Sequence, residues 1–224
     1  TSIPPDQQLT ILYLVTESQA DTLSKKNDLL MNVQNMTISG AAQIRIVGDL
    51  LCNMLLNGIT QTKTDAAQLM SSVDSFTHSI ISQQLLGENE MLIDTQGYKL
   101  ATKRMMLYSL SNSLIPARDN NTILIPDLRV SSNSRALKNV TADIPVAYSV
   151  AVFYRNPYSF SKTSSNIVSF VLDFHIRDED GNAFELTNPA PLYQIQLEKV
   201  VVSQKYEGEF RYECKGWSSV KQSW

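Results

Sequence analysis

The chain has 224 residues, of which 43% are hydrophobic and 18% charged, and its formal net charge is −3. That length supports a sizeable core in one large domain or two small ones. Acids and bases are interspersed, which excludes the basic footprint of a nucleic-acid protein, and no apolar run reaches the ~18 residues of a membrane span.

Residues from about 6 to 87 read as helices. Asp6 follows a double proline and is a good N-cap, with Leu9, Leu12, Val15 and Leu23 sharing much of one face. Ser39 is expected to cap a second helix, in which Ile44, Ile46, Val47, Leu50, Leu51, Met54 and Leu55 form a wide apolar stripe ended by Gly58. Thr64 is expected to cap a third, carrying Leu69, Met70, Val73, Phe76, Ile80 and Ile81 and ending at Gly87. Three antiparallel helices would bury these stripes against one another.

From about residue 91 the period shifts to two. Residues 91–108 suggest a hairpin around Asp94-Thr95-Gln96-Gly97, and Ile123-Leu124-Ile125-Pro126 a short strand stopped by proline. Tyr148 to Tyr154 is dense in β-formers. The clearest strand is 167–176, with Val168, Phe170, Leu172, Phe174 and Ile176 on one side and Ser169, Asp173 and His175 on the other. A turn at Asp178-Glu179-Asp180-Gly181-Asn182 leads to a return at Ala183–Leu186. Tyr193, Ile195 and Leu197 alternate again, and Phe210 to Cys214 is the final strand. The expected fold class is α+β: a helical subdomain over 1–113, then an antiparallel β-sandwich over 114–224.

The closing residues carry a resemblance. Tyr212-Glu213-Cys214-Lys215-Gly216-Trp217, continuing to Trp224, is similar to the opening of a GPS motif, with a Cys, a Trp three residues on and a second Trp later. Helices, then a sandwich, then such a strand is the order of a GAIN domain. Asn156-Pro157-Tyr158, the Val168–Ile176 strand, Gly181-Asn182-Ala183-Phe184-Glu185-Leu186 and Pro191 to Leu197 resemble the polycystin-1 and egg-jelly-receptor branch of that family. The resemblance implies an extracellular module on the plasma or ciliary membrane, not itself inserted in the bilayer. It implies two partners: its own cleaved C-terminal strand and, through the parent protein, a polycystin-2-type channel subunit. It also implies that Cys214 pairs with a later cysteine.

In the family, GPS autoproteolysis is an intramolecular acyl shift by a Ser or Thr hydroxyl, with a His two residues earlier as base. No His-Leu-Ser or His-Leu-Thr tripeptide occurs here. The only histidines are His78, followed by Ser79 and Ile80 on a predicted helix, and His175, in a strand. Both read as structural or surface residues, and no catalytic residue is assigned. No phosphate loop, nucleophile elbow, zinc motif or dinucleotide fingerprint is present, so no cofactor is expected. Asp178, Glu179, Asp180 and Asn182 could suggest calcium, but a polar hairpin turn explains them without the twelve-residue loop that calcium needs.

Trp217 and Trp224 could stack on a sugar, although packing over the sandwich core is the plainer reading. Cys52, on the apolar face of a helix, reads as a buried free thiol, and a Cys52–Cys214 bridge would need Cα atoms within roughly 7 Å. Asn35, Asn120 and Asn139 head N-glycosylation sequons, which favour the secretory route. The chain lacks an initiator Met and a signal peptide and reads as a piece of a longer protein. The expected function is therefore the GAIN module of a polycystin-1-like receptor. Two alternatives are the same module of an adhesion-type G-protein-coupled receptor and a secreted carbohydrate-binding adhesin.

Overall fold

The computed structural model describes Gln7, Ile38 and residues 40–56, 62–118, 121–125, 144–160, 170–183 and 194–196. Two long helices come first. Helix α1 spans Ala41–Leu56 and buries Ile44, Val47, Leu50, Leu51, Met54 and Leu55, the stripe expected from its spacing. Helix α2 spans Lys63–Gln83 and buries Leu69, Val73, Phe76, Ile80 and Ile81. Its cap is Thr62 and not Thr64. The Thr62 hydroxyl accepts from the Asp65 amide while Asp65 accepts from the Thr62 amide. That reciprocal box needs an acid three residues after the cap, and Thr64 lacks one. The helix ends at Gln83, short of Gly87. Gly87 instead takes φ +80 in the turn that follows. The cap positions expected at Asp6 and Ser39, the Gly58 stop and the first helix lie outside the described residues.

Among the described residues, seven strands and one helical turn follow. β1 (Met91–Asp94) and β2 (Tyr98–Met106) form the expected hairpin, and Leu107–Leu110 is a single helical turn, α3, where strand had been expected to continue to 108. β3 (Leu114–Arg118) and β4 (Asn121–Leu124) make a second hairpin. β5 is Pro145–Phe153, β6 is Val171–Arg177 and β7 is Gln194–Gln196. Of the strand read over 167–176, the part from 171 on is strand and extends to Arg177, Phe170 is not, and 167–169 lie outside the described residues.

The strands make two antiparallel sheets, one in the order β1-β2-β5-β6 and one in the order β3-β4-β7. The class is α+β, as its sequence indicates. The expected division at 113/114 falls just before β3. β2, on its N-terminal side, pairs with β5, on its C-terminal side, from Tyr98↔Phe153 to Met106↔Pro145.

The four-stranded sheet is the middle layer, and both its faces are buried. Side chains alternate across a strand. On β5, Ala151 and Phe153 join a cluster with Val47, Leu51, Leu69, Val73, Phe76 and Ile80 of the helices. Val146, Tyr148, Val150 and Val152 join another with Ile115, Ala117 and Ile123 of the second sheet. On β6, Leu172, Phe174 and Ile176 face the second sheet and Val171 the helices, so the expected alternation holds. Full burial of a side chain such as Phe76, 0% exposed, is worth about 1.5–3 kcal/mol.

Candidate functional site

A polar cluster lies where α2 meets the C-terminal end of β6. Strand alternation sends Asp173, His175 and Arg177 of β6 to the helix side. Arg177 donates from Nη2 to Oδ1 of Asp74 on α2, and from Nη1 to the Gly181 carbonyl at 3.0 Å. One guanidinium thereby joins helix, strand and turn in its fixed planar fork. Arg177 is 9% exposed, so the pair is shielded from solvent on the arginine side.

The turn after β6 is shaped to fit. The Asn182 amide donates to Asp178 Oδ1 at 2.8 Å and the Gly181 amide to the Asp178 carbonyl at 3.1 Å. Gly181 takes φ +82, and a Cβ there would collide with the His78 ring of α2. The Asp178 carboxylate is thus held by Asn182, which accounts for the acidic cluster as a polar hairpin turn.

Beside the turn, Arg104 of β2 donates to the Gln84 carbonyl at 3.2 Å and faces Glu179 at 3.8 Å. Gln84 reaches back to the Thr102 carbonyl at 3.0 Å. A cavity of about 30 Å³ is lined by His78, Ser82, Arg104 and Glu179. It has room for a water or two and not for a substrate.

His175 lies one strand position pair before Arg177. Its Nε2 donates to Asp173 Oδ1 at 2.9 Å. That hydrogen bond raises the imidazole above its ordinary value, against burial and the nearby Arg177, which both lower it. Tyr158, in the turn after β5, is pushed up to about 12 by burial and by the charge of Asp173, so it stays neutral. Elsewhere Tyr148 donates to Glu90 at 2.7 Å, and burial with that bond holds it well above the usual tyrosine range.

No family model matches the chain, and no curated protein does. One solved structure, the full extracellular region of zebrafish Gpr126/Adgrg6, aligns over 78% of this chain with a TM-score of 0.55 and 9% identity. The two share a fold. The chain spans about a quarter of the Gpr126 extracellular region, 26% of its length. At that identity the likeness to Gpr126 is one of backbone, and the polar seam described above is argued from this chain's own residues.

The residues singled out for the GPS motif, Cys214, Trp217 and Trp224, lie outside the described residues, as do the sequon asparagines Asn35, Asn120 and Asn139. Cys52 is a buried free thiol on α1, packed against Gly97 of the β1–β2 turn. His78 lies on α2 and His175 on β6, as their contexts indicate. Tyr154 packs edge-on against Phe170 at 5.8 Å, so the aromatics around Asn156-Pro157-Tyr158 belong partly to the core. The seam itself was not evident beforehand, because Asp74 and Arg177 are 103 residues apart. The one local signal was Asp173 and His175 on a common strand face.

Proposed function

We propose that the chain is an extracellular, GAIN-like module of a membrane receptor, acting as a force-bearing or interaction unit and not as an enzyme on external substrates. The observation that carries this reading is the fold that 78% of the chain shares with part of the Gpr126 extracellular region. The Cys214-Trp217-Trp224 pattern and three sequons point the same way. A described region built from packed layers and polar clasps suits a module that transmits load.

Within that reading, the polycystin-1-like assignment rests on the sequence wording between Asn156 and Leu197. Its partners would be a cleaved C-terminal strand retained in the sandwich and a polycystin-2-type channel subunit, at the plasma or ciliary membrane. A strand held by a full ladder of hydrogen bonds is released only when the ladder breaks together, which makes it a switch for pulling force. The adhesion-receptor reading draws on a separate observation, the nature of the Gpr126 neighbour.

Expression of the parent protein in secretory cells tests the proposal. A GAIN-like receptor module reaches the cell surface, and glycosidase shifts its mobility, an effect reduced stepwise by Asn35→Gln, Asn120→Gln and Asn139→Gln. Retention in the cytosol without glycan would sink it. Co-precipitation of a polycystin-2-type channel separates the two receptor branches.

A further inference from the structure

The seam between α2 and β6 carries an unbalanced set of charges. Asp173, His175 and Arg177 follow one another along the helix-facing side of β6, with Asp173 bonded to His175 and Asp74 of α2 bonded to Arg177. With the ring neutral this row of four side chains holds two carboxylates and one guanidinium, which leaves one negative charge in excess. His175 sits between Asp173 and Arg177 on the same strand face and already donates to Asp173. A proton on its ring cancels the excess.

The other groups around His175 leave that balance intact. From α2, His78 packs on Gly181. From β2, Arg104 is matched by Glu179 of the turn. Asp178 is engaged by Asn182, and Asp180 is exposed. From the 157–160 turn, Tyr158 is neutral at any physiological pH. Strand β5 sets Ser149 and Ala151 opposite His175 and Asp173, neither of them charged. Among the described residues, His175 on β6 and His78, one helical turn after Asp74 on α2, are the two histidines near Asp74, and substituting each in turn separates their effects.

We propose that His175 is a proton-controlled clasp between the helical layer and the sandwich, tighter when the ring is protonated. With the ring neutral, Arg177 is the cation of β6 that holds Asp74. With the ring charged, Asp74 and Asp173 share two cations, and α2 is drawn more firmly onto β6. The direction of the titration agrees. The folded protein holds the His175 proton more tightly than an ordinary histidine at 6.5, with the bond to Asp173 as the main cause. Its contribution is complete below about 6.5 and is lost as the pH climbs through the raised value. The side chain is 42% exposed, so solvent screens the effect and keeps it modest. This inference rests on the seam alone and holds whether or not the receptor reading does.

The test follows the thermal midpoint and α2 amide exchange of the 224-residue chain between pH 5.5 and 8.5. The wild-type midpoint should fall by roughly 1–3 °C across the window above 6.5, an amount set by modest coupling in a domain of this size. Exchange in residues 63–83, corrected for its intrinsic pH dependence, should speed up over the same window. His175→Gln should flatten both responses, and His78→Gln should leave them. A wild-type midpoint that rises over this window, or a His175→Gln protein that keeps the full fall, overturns the clasp. Should His175→Gln fail to fold, the nuclear magnetic resonance titration of the His175 ring, compared between wild type and Asp74→Asn, decides. A midpoint that drops when Asp74 loses its charge supports the clasp, and one that does not move defeats it.

Discussion

The two faces of the middle sheet solve one packing problem in two ways. Toward the helices, β5 presents Ala147, Ser149 and Ala151 before ending on Phe153, while toward the second sheet it presents Val146, Tyr148, Val150 and Val152. A helix brings long side chains such as Phe76, Leu69 and Ile80, and the sheet beneath it stays shallow to admit them. A second sheet brings short rows of its own, and branched side chains interdigitate from both sides. The helical interface also uses polar fastenings across the layers: Tyr98 to the Gly48 carbonyl at 3.2 Å, Gln84 to Thr102, and Arg177 to Asp74. The sandwich interface relies on apolar contact. The sheet is a shared wall, and the module's two halves are fastened to it by different chemistry.

That contrast can be broken deliberately. Phe76→Ala removes the largest helical side chain at the helical interface and should cost about 3–5 kcal/mol in urea unfolding. Ile123→Ala, at the sandwich interface, should cost about 2–4 kcal/mol. If the layers melt separately, each substitution will shift a different transition; a single shared shift would mean that the sheet couples them completely. Asp74→Asn strips the carboxylate from a guanidinium that is 9% exposed and should cost roughly 1–3 kcal/mol. A matching loss from Arg177→Met, without additivity in the double variant, would identify the pair as the source. Thr62→Ala should remove about 1 kcal/mol through the α2 cap. Leu114→Thr, on a side chain 61% exposed, should change stability by less than about 0.5 kcal/mol. A larger loss there would point to a face of the second sheet that is covered in the folded protein.

The same contrast explains what could be read in the residues. β6 was legible because its sandwich face is apolar and its helix face carries Asp173 and His175, a period of two that burial on one chemistry and polarity on the other writes plainly. β5 was legible only as a dense run, because both its faces are buried and neither is polar. The helix stripes placed α1 and α2, but the cap of α2 was misplaced by two residues. Thr62 and Thr64 are alike locally, and only the acid at Asp65, three residues after Thr62, separates them. Strand β3 begins at the division expected at 113/114 and was not read as a strand; it contains Pro116, which its edge position tolerates. The seam was out of reach for a different reason. Local periodicity says which face Asp74 and Arg177 occupy and nothing about which distant face each will meet.

The distance along the chain between those two residues has a consequence for how the protein is made. Asp74 leaves the ribosome 103 residues before Arg177. At a synthesis rate of 5–20 residues per second, α2 waits about 5–20 s for the strand that fastens it. Through that interval the sheet that covers its apolar face, Leu69, Val73, Phe76 and Ile80, is built piecemeal: β2 is complete at Met106, β5 at Phe153 and β6 only at Arg177. The growing chain therefore passes through a stage in which a finished helix is only partly covered, and its polar fastening is the last part of the wall to arrive.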